Sequence, residues 1–408
     1  MTWILLIVVL VVLAVWLFFN LSPARRDCFN HRLLVEDAQT DEFPNDASRP
    51  GVAIICPGRN EAEWIDKTLP DLCQQDYPNT RVIFVDDNSD DATIAITAKM
   101  DKQYKHLTVV RNEVEPPAGW VGKCWAVRQG YASLQAASDQ EKVQWLCFTD
   151  ADIRWDPKCL RAAMNYGKRF DADLVALFPK LEFGTTSERL GQITMVLALG
   201  LLFPFKKAMD PKHPHTLTGG AFILVKRDIY DSIGGHESVK GCVVEDLNLG
   251  KNLKAAGAKI RIAVTPELLT CRMYDGWSDM WEGLTKNAYA GMEYHPTWAA
   301  GFLGAAWLAN VLAPLYVILA IVWSITNPAD WRAWVTLGAS VGIMLLQARA
   351  MNGVRKLLGL GWWWAWSIAP GSALYSLFIV ASMWRYYRGG NVWKGRSYNK
   401  SALADQAD

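Results

Sequence analysis

The chain has 408 residues, 51% of them hydrophobic with 20 Trp, and balances 42 basic residues against 41 acidic ones. The length admits one large domain or two ordinary ones, the apolar share exceeds that of a purely soluble protein, and a net charge of +1 offers nucleic acid no general field. Eight cysteines without a Cys-x-x-Cys pair read as buried thiols in a reducing compartment, not as a metal cluster or a disulfide framework.

Thr2 to Asn20 is almost unbroken apolar sequence, long enough to cross a bilayer, with Arg25, Arg26 and Arg32 behind it. It lacks the basic start and small-residue cleavage site of a secretory signal, so an uncleaved anchor is expected, with cleavage as the alternative. After a polar stretch from Asp37 to Pro50, Gly51-Val52-Ala53-Ile54-Ile55-Cys56 reads as a strand. Pro57-Gly58-Arg59-Asn60-Glu61 turns out of it into a helix from about Ala62 to Gln75. Arg81 to Val85 forms the next strand and ends at Asp86-Asp87-Asn88-Ser89-Asp90-Asp91. A right-handed crossover puts both polar turns on one sheet edge. Asp90 and Asp91 are best read as helix caps. Asp87 differs: without a Gly-x-Gly-x-x-Gly after the first strand, a carboxylate accepting from a base N–H or a ribose hydroxyl suits a single-nucleotide donor.

His106 to Val110 is a third strand. Gly119-Trp120-Val121-Gly122-Lys123 follows, without Walker A spacing, and Lys123 opens a helix from Cys124 to Leu134 where charge and helix N-terminus suit an anion. A plain surface lysine is the alternative. Val143 to Phe148 reads as a buried strand, and Asp150 and Asp152 stand at its carboxyl end, where a metal-bound diphosphate would meet two hard carboxylates suited to Mg2+ or Mn2+. Taken alone, Asp-x-Asp ahead of Pro157 is equally a polar loop opening.

Ile193 to Phe205 is apolar but too short to span, and is read as a membrane-surface element in preference to a core helix. Gly219-Gly220 ahead of Ala221 to Val225 lets backbone pass close to a sugar ring or simply begins a strand. Glu245-Asp246 opens a helix running to about Ala256, where capping is the alternative to chemistry. Three apolar runs close the chain, Ala299 to Ile325, Trp331 to Leu346 and Trp362 to Trp384, with a basic loop from Arg349 to Lys356. Positive-inside counting cannot satisfy Arg25/Arg26, that loop and the tail from Arg385 to Lys400 with four full spans. One run must therefore break, at Pro370-Gly371 by first choice and around Pro314 by second.

In order, Pro57-x-x-Asn60-Glu61, Asp86-Asp87-x-Ser89, Gly119-Trp120-x-Gly122-Lys123, Asp150-x-Asp152, Gly219-Gly220-Ala221-Phe222 and Glu245-Asp246 resemble the motifs of the family 2 glycosyltransferases. Within that family the chain most resembles the hopanoid-associated membrane enzymes, a likeness that includes Val392 to Tyr398, and more distantly the carotenoid-acid and ceramide glycosyltransferases. The resemblance implies the GT-A fold, an α/β mixed sheet with flanking helices, carrying N- and C-terminal transmembrane helices. It further implies that Pro57, Asn60, Glu61, Asp87, Lys123 and Asp150 bind the nucleotide-sugar, with Asp87 on uracil and Asp150 on the ribose. Asp152, with Asp150, would hold a divalent metal, Mg2+ or Mn2+. Asp246 takes the family's base position and Glu245 orients it, and a single displacement predicts inversion at the anomeric carbon. The processive Gln-x-x-Arg-Trp motif is missing, which argues against a polymerase. Arg272 or Lys286 would serve the diphosphate in its place, with Trp281, Gly219 and Gly220 as further acceptor or diphosphate candidates, although Trp277 and Trp281 also read as a membrane-interface face.

The expected organisation is an anchor at 1–22, a linker at 23–50, a GT-A domain at 51–290, a membrane region at 291–388 and a basic tail at 389–408. The expected activity is transfer of one sugar from a nucleotide-sugar, a UDP-sugar, to a lipid such as a hopanoid at the cytoplasmic face of the inner (plasma) membrane, by a multi-pass protein with no nucleic-acid partner. Transfer to polyprenyl phosphate, or a non-catalytic lipid- or nucleotide-sugar-binding scaffold, are the alternatives.

Overall fold

The computed structural model describes residues 2–22, 31–40, 42–138, 140–388, 391–393 and 396–398. Arg25 and Arg26, most of the tail and Cys28 lie outside the described residues. Two compact units are formed, one from Asn30–Glu182, Phe205–Met273 and Gly389–Asp408, the other from Met1–Phe29, Phe183–Pro204 and Tyr274–Arg388.

The first unit is built on an eight-stranded sheet of β1 (Gly51–Gly58), β2 (Thr80–Asp86), β3 (Leu107–Arg111), β4 (Val143–Phe148), β5 (Ile153–Trp155), β6 (Leu174–Leu181), β7 (Ile223–Lys226) and β8 (Ile260–Cys271), in the order β3-β2-β1-β4-β7-β6-β8-β5. Strands β3, β2, β1 and β4 run parallel, joined by helices Ile65–Cys73, Thr93–Gln103 and Gly122–Gln135. β7 pairs antiparallel with both β4 and β6, which makes the sheet mixed as expected. Strand order reverses beside β1: β2 and β3 extend one way and β4 lies on the other side. The carboxyl ends of β1 and β4 thus flank a topological switch point, where α/β sheets bind ligands.

The sheet is buried on both faces, since all eight residues of β1 and five of the seven in β2 are buried. Gly130 lets helix Gly122–Gln135 sit flat on it, because a Cβ there would lie 2.7 Å from Val85 and 2.9 Å from Ile55. Pro57 and Gly58 belong to β1, so the expected turn begins two residues later, at Arg59. The stretch read as a linker is, over 31–50, held against the domain. Leu33 is fully buried, its N–H donates to Val264 O (3.1 Å), and the Asn165 amide donates to the carbonyls of Asp37 (3.2 Å) and Thr40 (2.7 Å). All seven described cysteines are free and six are buried, in keeping with the reading as buried thiols.

The second unit is helical. Thr2–Leu21 and Trp331–Leu357 are long and apolar enough to cross a membrane, and they pack on one another, with Leu13 against Gly342 and the Asn20 amide donating to Leu346 O (3.3 Å). The run from Ala299 is broken: Pro296–Ala306, a π turn over Trp307–Val311 and Ala313–Thr326 bend by 46°. The second choice of break, around Pro314, is the one found. Pro370 instead stands in the first turn of a continuous helix, Ile368–Arg388, where no amide proton is required, and a 3-10 turn over Trp362–Trp366 precedes it. Arg349 to Lys356, expected as a loop, is the end of helix Trp331–Leu357, where cations complement the exposed carbonyls. The run at Ile193 lies in helix Thr186–Leu202, whose Thr194 hydroxyl meets Gly371 and whose Gly191 meets Met280, so it packs within this helical unit.

Candidate active site

Strand β1 and strand β2 release their chains side by side. The Asp87 N–H donates to Gly58 O (2.9 Å), the Asn60 N–H to Ser89 Oγ (3.0 Å) and the Glu61 N–H to Thr93 Oγ1 (2.8 Å), while Asn60 Oδ1 accepts from the Asp90 N–H (3.0 Å). Asn60 adopts φ 54°, a left-handed conformation that asparagine tolerates. Asn60 and Glu61 thereby stitch the two turns together. Asp91, expected as a helix cap, stands one residue before the N-cap Ala92 of helix Thr93–Gln103, and its carboxylate accepts from the N–H groups of Thr93 (2.9 Å) and Ala62 (3.1 Å). Asp87 is 5% exposed, and its Oδ1 accepts from the Asn112 amide (3.0 Å), a partner the sequence did not single out.

At the switch point, Lys123 is the second residue of helix Gly122–Gln135. Its ammonium lies 2.5 Å from Asp150 Oδ1 and 2.6 Å from Glu245 Oε1. Burial lowers the lysine's proton affinity, but the carboxylates of Asp150, Glu245 and Asp246 outweigh it and push the value well above the usual lysine range. Glu245 and Asp246 form the first turn of helix Glu245–Ala255, where the helix dipole favours negative charge. Asp246 Oδ2 accepts from the Gly220 N–H (2.8 Å) and Oδ1 from its neighbour Leu247 (2.8 Å), while the Thr218 hydroxyl donates to its carbonyl (2.5 Å). Burial first, then the Glu245 charge, raises the Asp246 carboxyl to about 6.

Gly220 is glycine because a Cβ would stand 2.8 Å from Asp150 Oδ2 and 2.8 Å from Lys123 Nζ; Gly219 meets the Phe178 ring at 3.0 Å. Four side chains and one loop amide from separate stretches of chain therefore converge. Asp152 lies just before β5, which pairs with β8 through Ile153 and Cys271, and the Cys271 thiol lies 3.9 Å from Asp152 Oδ2. Arg272 follows Cys271 directly. Trp281 and Lys286 lie on helix Gly276–Ala290 of the helical unit, where Trp281 packs on Trp277 (5.6 Å between ring centroids) and Phe378 (5.3 Å). Among the described residues no group of three or more His, Cys, Asp or Glu side chains is gathered as a metal site. Asp150 and Asp152 are two hard carboxylates just beyond one strand end, residues that would suit a divalent cation such as Mg2+ or Mn2+.

The mixed sheet, with carboxylates and a lysine at its switch point, has the GT-A fold expected from the sequence. Residues 53–234 match the model of Glycosyl transferase family 2. The 4,4'-diaponeurosporenoate glycosyltransferase of Staphylococcus aureus (strain MRSA252) is 25% identical over 266 residues, 64% of this chain and 66% of the relative. The protein of that name in strain N315 is 24% identical over 243 residues, 59% of this chain and 61% of the relative. The chain thus spans 66% of the first relative's length. Among solved structures, the mannosyltransferase PcManGT from Pyrobaculum calidifontis, in complex with GDP-Man and Mn2+, is 17% identical with a TM-score of 0.48 over 93% of this chain and 98% of that one. S. aureus TarS 1-349 in complex with UDP-GlcNAc is 15% identical with a TM-score of 0.38 over 85% and 95%.

Proposed function

We propose that this chain is a membrane-bound inverting glycosyltransferase that moves one sugar from a UDP-sugar to a hydroxyl of a lipid, a hopanoid, at the cytoplasmic face of the plasma membrane. The observation that carries the reading is the convergence of Lys123, Asp150, Glu245 and Asp246 beneath the Gly220 loop. Asp246 is the base: with its carboxyl near 6 it is mostly ionised at neutral pH yet basic enough to take a hydroxyl proton. The acceptor oxygen bonds to the anomeric carbon as the bond from that carbon to the diphosphate breaks, and the nucleoside diphosphate leaves. One displacement gives inversion. Glu245 orients Asp246 and pairs with Lys123, whose charge stabilises the departing diphosphate more in the transition state than in the ground state. Asp87, with Pro57, Asn60 and Glu61 framing its turn, takes the base, and Asp150 the ribose.

Asp152 and Asp150 would hold Mg2+ or Mn2+, which when bound supplies positive charge to the diphosphate. The lipid acceptor is supported by the apolar helices and by the diaponeurosporenoate named for the relatives. Arg272, Lys286 and Trp281 remain candidates for diphosphate or acceptor contact. The test is incubation of membranes containing the protein with radiolabelled nucleotide sugars and Mn2+, followed by mass identification of labelled lipid. A labelled polycyclic lipid is expected. No labelled lipid from any donor would refute the reading, and a polyprenyl phosphate product that survives Asp246→Asn would replace the acceptor and the base.

A further inference from the structure

Within the helical unit lies a cavity of about 90 Å³. It is bounded by Pro314 at the start of helix Ala313–Thr326, by Met344, Gln347 and Ala348 on helix Trp331–Leu357, and by Trp366 and Ile368, where the 3-10 turn passes into helix Ile368–Arg388. At roughly 30 Å³ for each water-sized group there is room for about three. Among the described residues no charged side chain lines it.

This cavity has an acceptor and lacks a donor. Irregular backbone in a membrane region has to find its hydrogen bonds inside the protein, and the turn over Trp307–Val311 does so. The Tyr316 hydroxyl donates to Leu308 O (2.9 Å), while the Gln347 amide (2.7 Å) and the Trp16 indole (3.2 Å) both donate to Ala309 O. A carbonyl only accepts, so the Gln347 amide must turn its nitrogen to Ala309, and its oxygen is the atom left over. Gln347 is 2% exposed, and among the described residues no N–H or O–H is donated to its Oε1. The turn itself has the same surplus: Asn310 gives its amide N–H to Ser372 Oγ (3.0 Å), while its buried Oδ1 has no donor among the described residues.

We propose that this cavity binds the hydroxyl end of a membrane lipid alcohol, whose O–H donates to Gln347 Oε1 while its first carbons lie against Pro314, Met344, Trp366 and Ile368. The lining selects this occupant. A water needs several polar partners, and the lining side chains offer one oxygen among apolar walls. A plain hydrocarbon chain covers the walls but leaves that oxygen bare, and an ionised phosphate or carboxylate brings charge without meeting a cation. An alcohol supplies one proton for the oxygen and carbon for the rest. The site goes beyond the transfer reaction: it requires that a lipid alcohol bind, and not that the bound molecule be the one glycosylated.

The test uses the full-length protein in phosphatidylcholine nanodiscs, without nucleotide-sugar, and hexadecanol carrying a diazirine close to its hydroxyl. Photolysis and peptide mass mapping should place saturable label within residues 344–348 or 365–370, the two stretches that line the cavity. Unlabelled hexadecanol should compete about two- to tenfold better than its methyl ether, the worth of one hydrogen bond, and hexadecanoate should compete less well than hexadecanol. Ala348→Leu, which fills the cavity and leaves the Gln347–Ala309 bond in place, should cut the labelling about tenfold in protein shown by thermal unfolding to be folded. Equal competition by alcohol and ether means a hydrocarbon chain only, and no saturable label in these stretches means water only. Either overturns the proposal, as does labelling that the folded Ala348→Leu variant leaves undiminished. The comparison of competitors uses wild type alone and decides the matter if that variant does not fold. Since no sugar is transferred, failure of the glycosyltransferase assay leaves this result standing, and the two readings fail separately.

Discussion

Replacing Asp246 by Asn separates catalysis from stability, because the raised proton affinity that would let this carboxylate act as the proposed base also costs folding energy. Its carboxyl is raised from 3.8 to about 6. At 1.36 kcal/mol per pH unit, keeping it ionised in the folded state at pH 7 costs about 3 kcal/mol. The sign follows from proton binding. Between the unfolded and folded values the folded state holds more protons, so this group's contribution falls as pH rises through 4 to 6 and stays at its minimum above. Asn removes that penalty but keeps only one oxygen for the N–H groups of Gly220 and Leu247, which returns about 1–1.5 kcal/mol. The variant should be more stable at pH 7 by about 1–2 kcal/mol, a rise of a few degrees in melting temperature, and the gain should vanish below about pH 4. Activity should move the other way, with kcat about 10² to 10⁴ lower and the wild-type acid limb near pH 6 absent from the residual rate. Melting curves at pH 4 and 7 and pH–rate profiles of purified protein in detergent check both. A variant that keeps its rate, or one destabilised at pH 7 and not at pH 4, would refute the reasoning.

Gly220→Ala should leave the melting temperature nearly unchanged but lower kcat/KM about tenfold or more, because its Cβ would drive apart the Lys123–Asp150 pair 2.8 Å away; initial rates check it. Asn112→Ala removes a buried hydrogen bond to a carboxylate, worth about 1.5–3 kcal/mol, and should raise the donor KM about 10- to 100-fold with kcat little changed. Chelation with EDTA should abolish turnover and added Mn2+ or Mg2+ restore it, and Asp152→Ala should raise the metal concentration needed for half-maximal rate. Gly130→Val would force side-chain atoms into Val85 and Ile55 and should lower stability by about 1–3 kcal/mol, read as a fall in melting temperature.

Much of this fold is legible because its strands are short apolar runs that stop at carboxylates. Val143 to Phe148 ends at Asp150, and Thr80 to Asp86 ends at Asp87, where buried hydrogen-bonded backbone gives way to a polar crevice. Asn112 escapes this reading because it acts through a partner far along the chain, the Asp87 carboxylate, and no local pattern marks a buried polar residue as paired. Gly219-Gly220 signals close approach of backbone to something, but the neighbour is the Asp150 carboxylate, which only the folded chain reveals. In the helical unit, the apolar runs marked candidate spans and Pro314 marked the bend, but not the form the bend takes. Uniformly apolar sequence hides the π turn at Trp307–Val311, whose Ala309 carbonyl is taken up by Gln347 (2.7 Å) and Trp16 (3.2 Å). A basic stretch such as Arg349 to Lys356 reads as a loop by composition and forms a helix end by electrostatics.

The charge count at the switch point constrains how the site takes its donor. Above about pH 6, Asp150, Glu245 and Asp246 carry three negative charges and Lys123 one positive, a net of two negative. A diphosphate brought into this cluster meets repulsion that one lysine, already shared between two carboxylates, does not offset. A divalent cation on the neighbouring carboxylates would offset those two negative charges and so weaken the repulsion. Donor and cation should therefore each tighten the other's binding, and by the same factor, because linkage is reciprocal. Neutralising Glu245 as Gln removes one repelling charge and releases Lys123 toward the diphosphate, so the variant should bind donor better without metal and show a smaller coupling, although its turnover falls. Calorimetric titration of donor with and without Mn2+, in wild type and Glu245→Gln, measures both factors. Equal donor affinity in the presence and absence of the cation would remove this electrostatic account of the site.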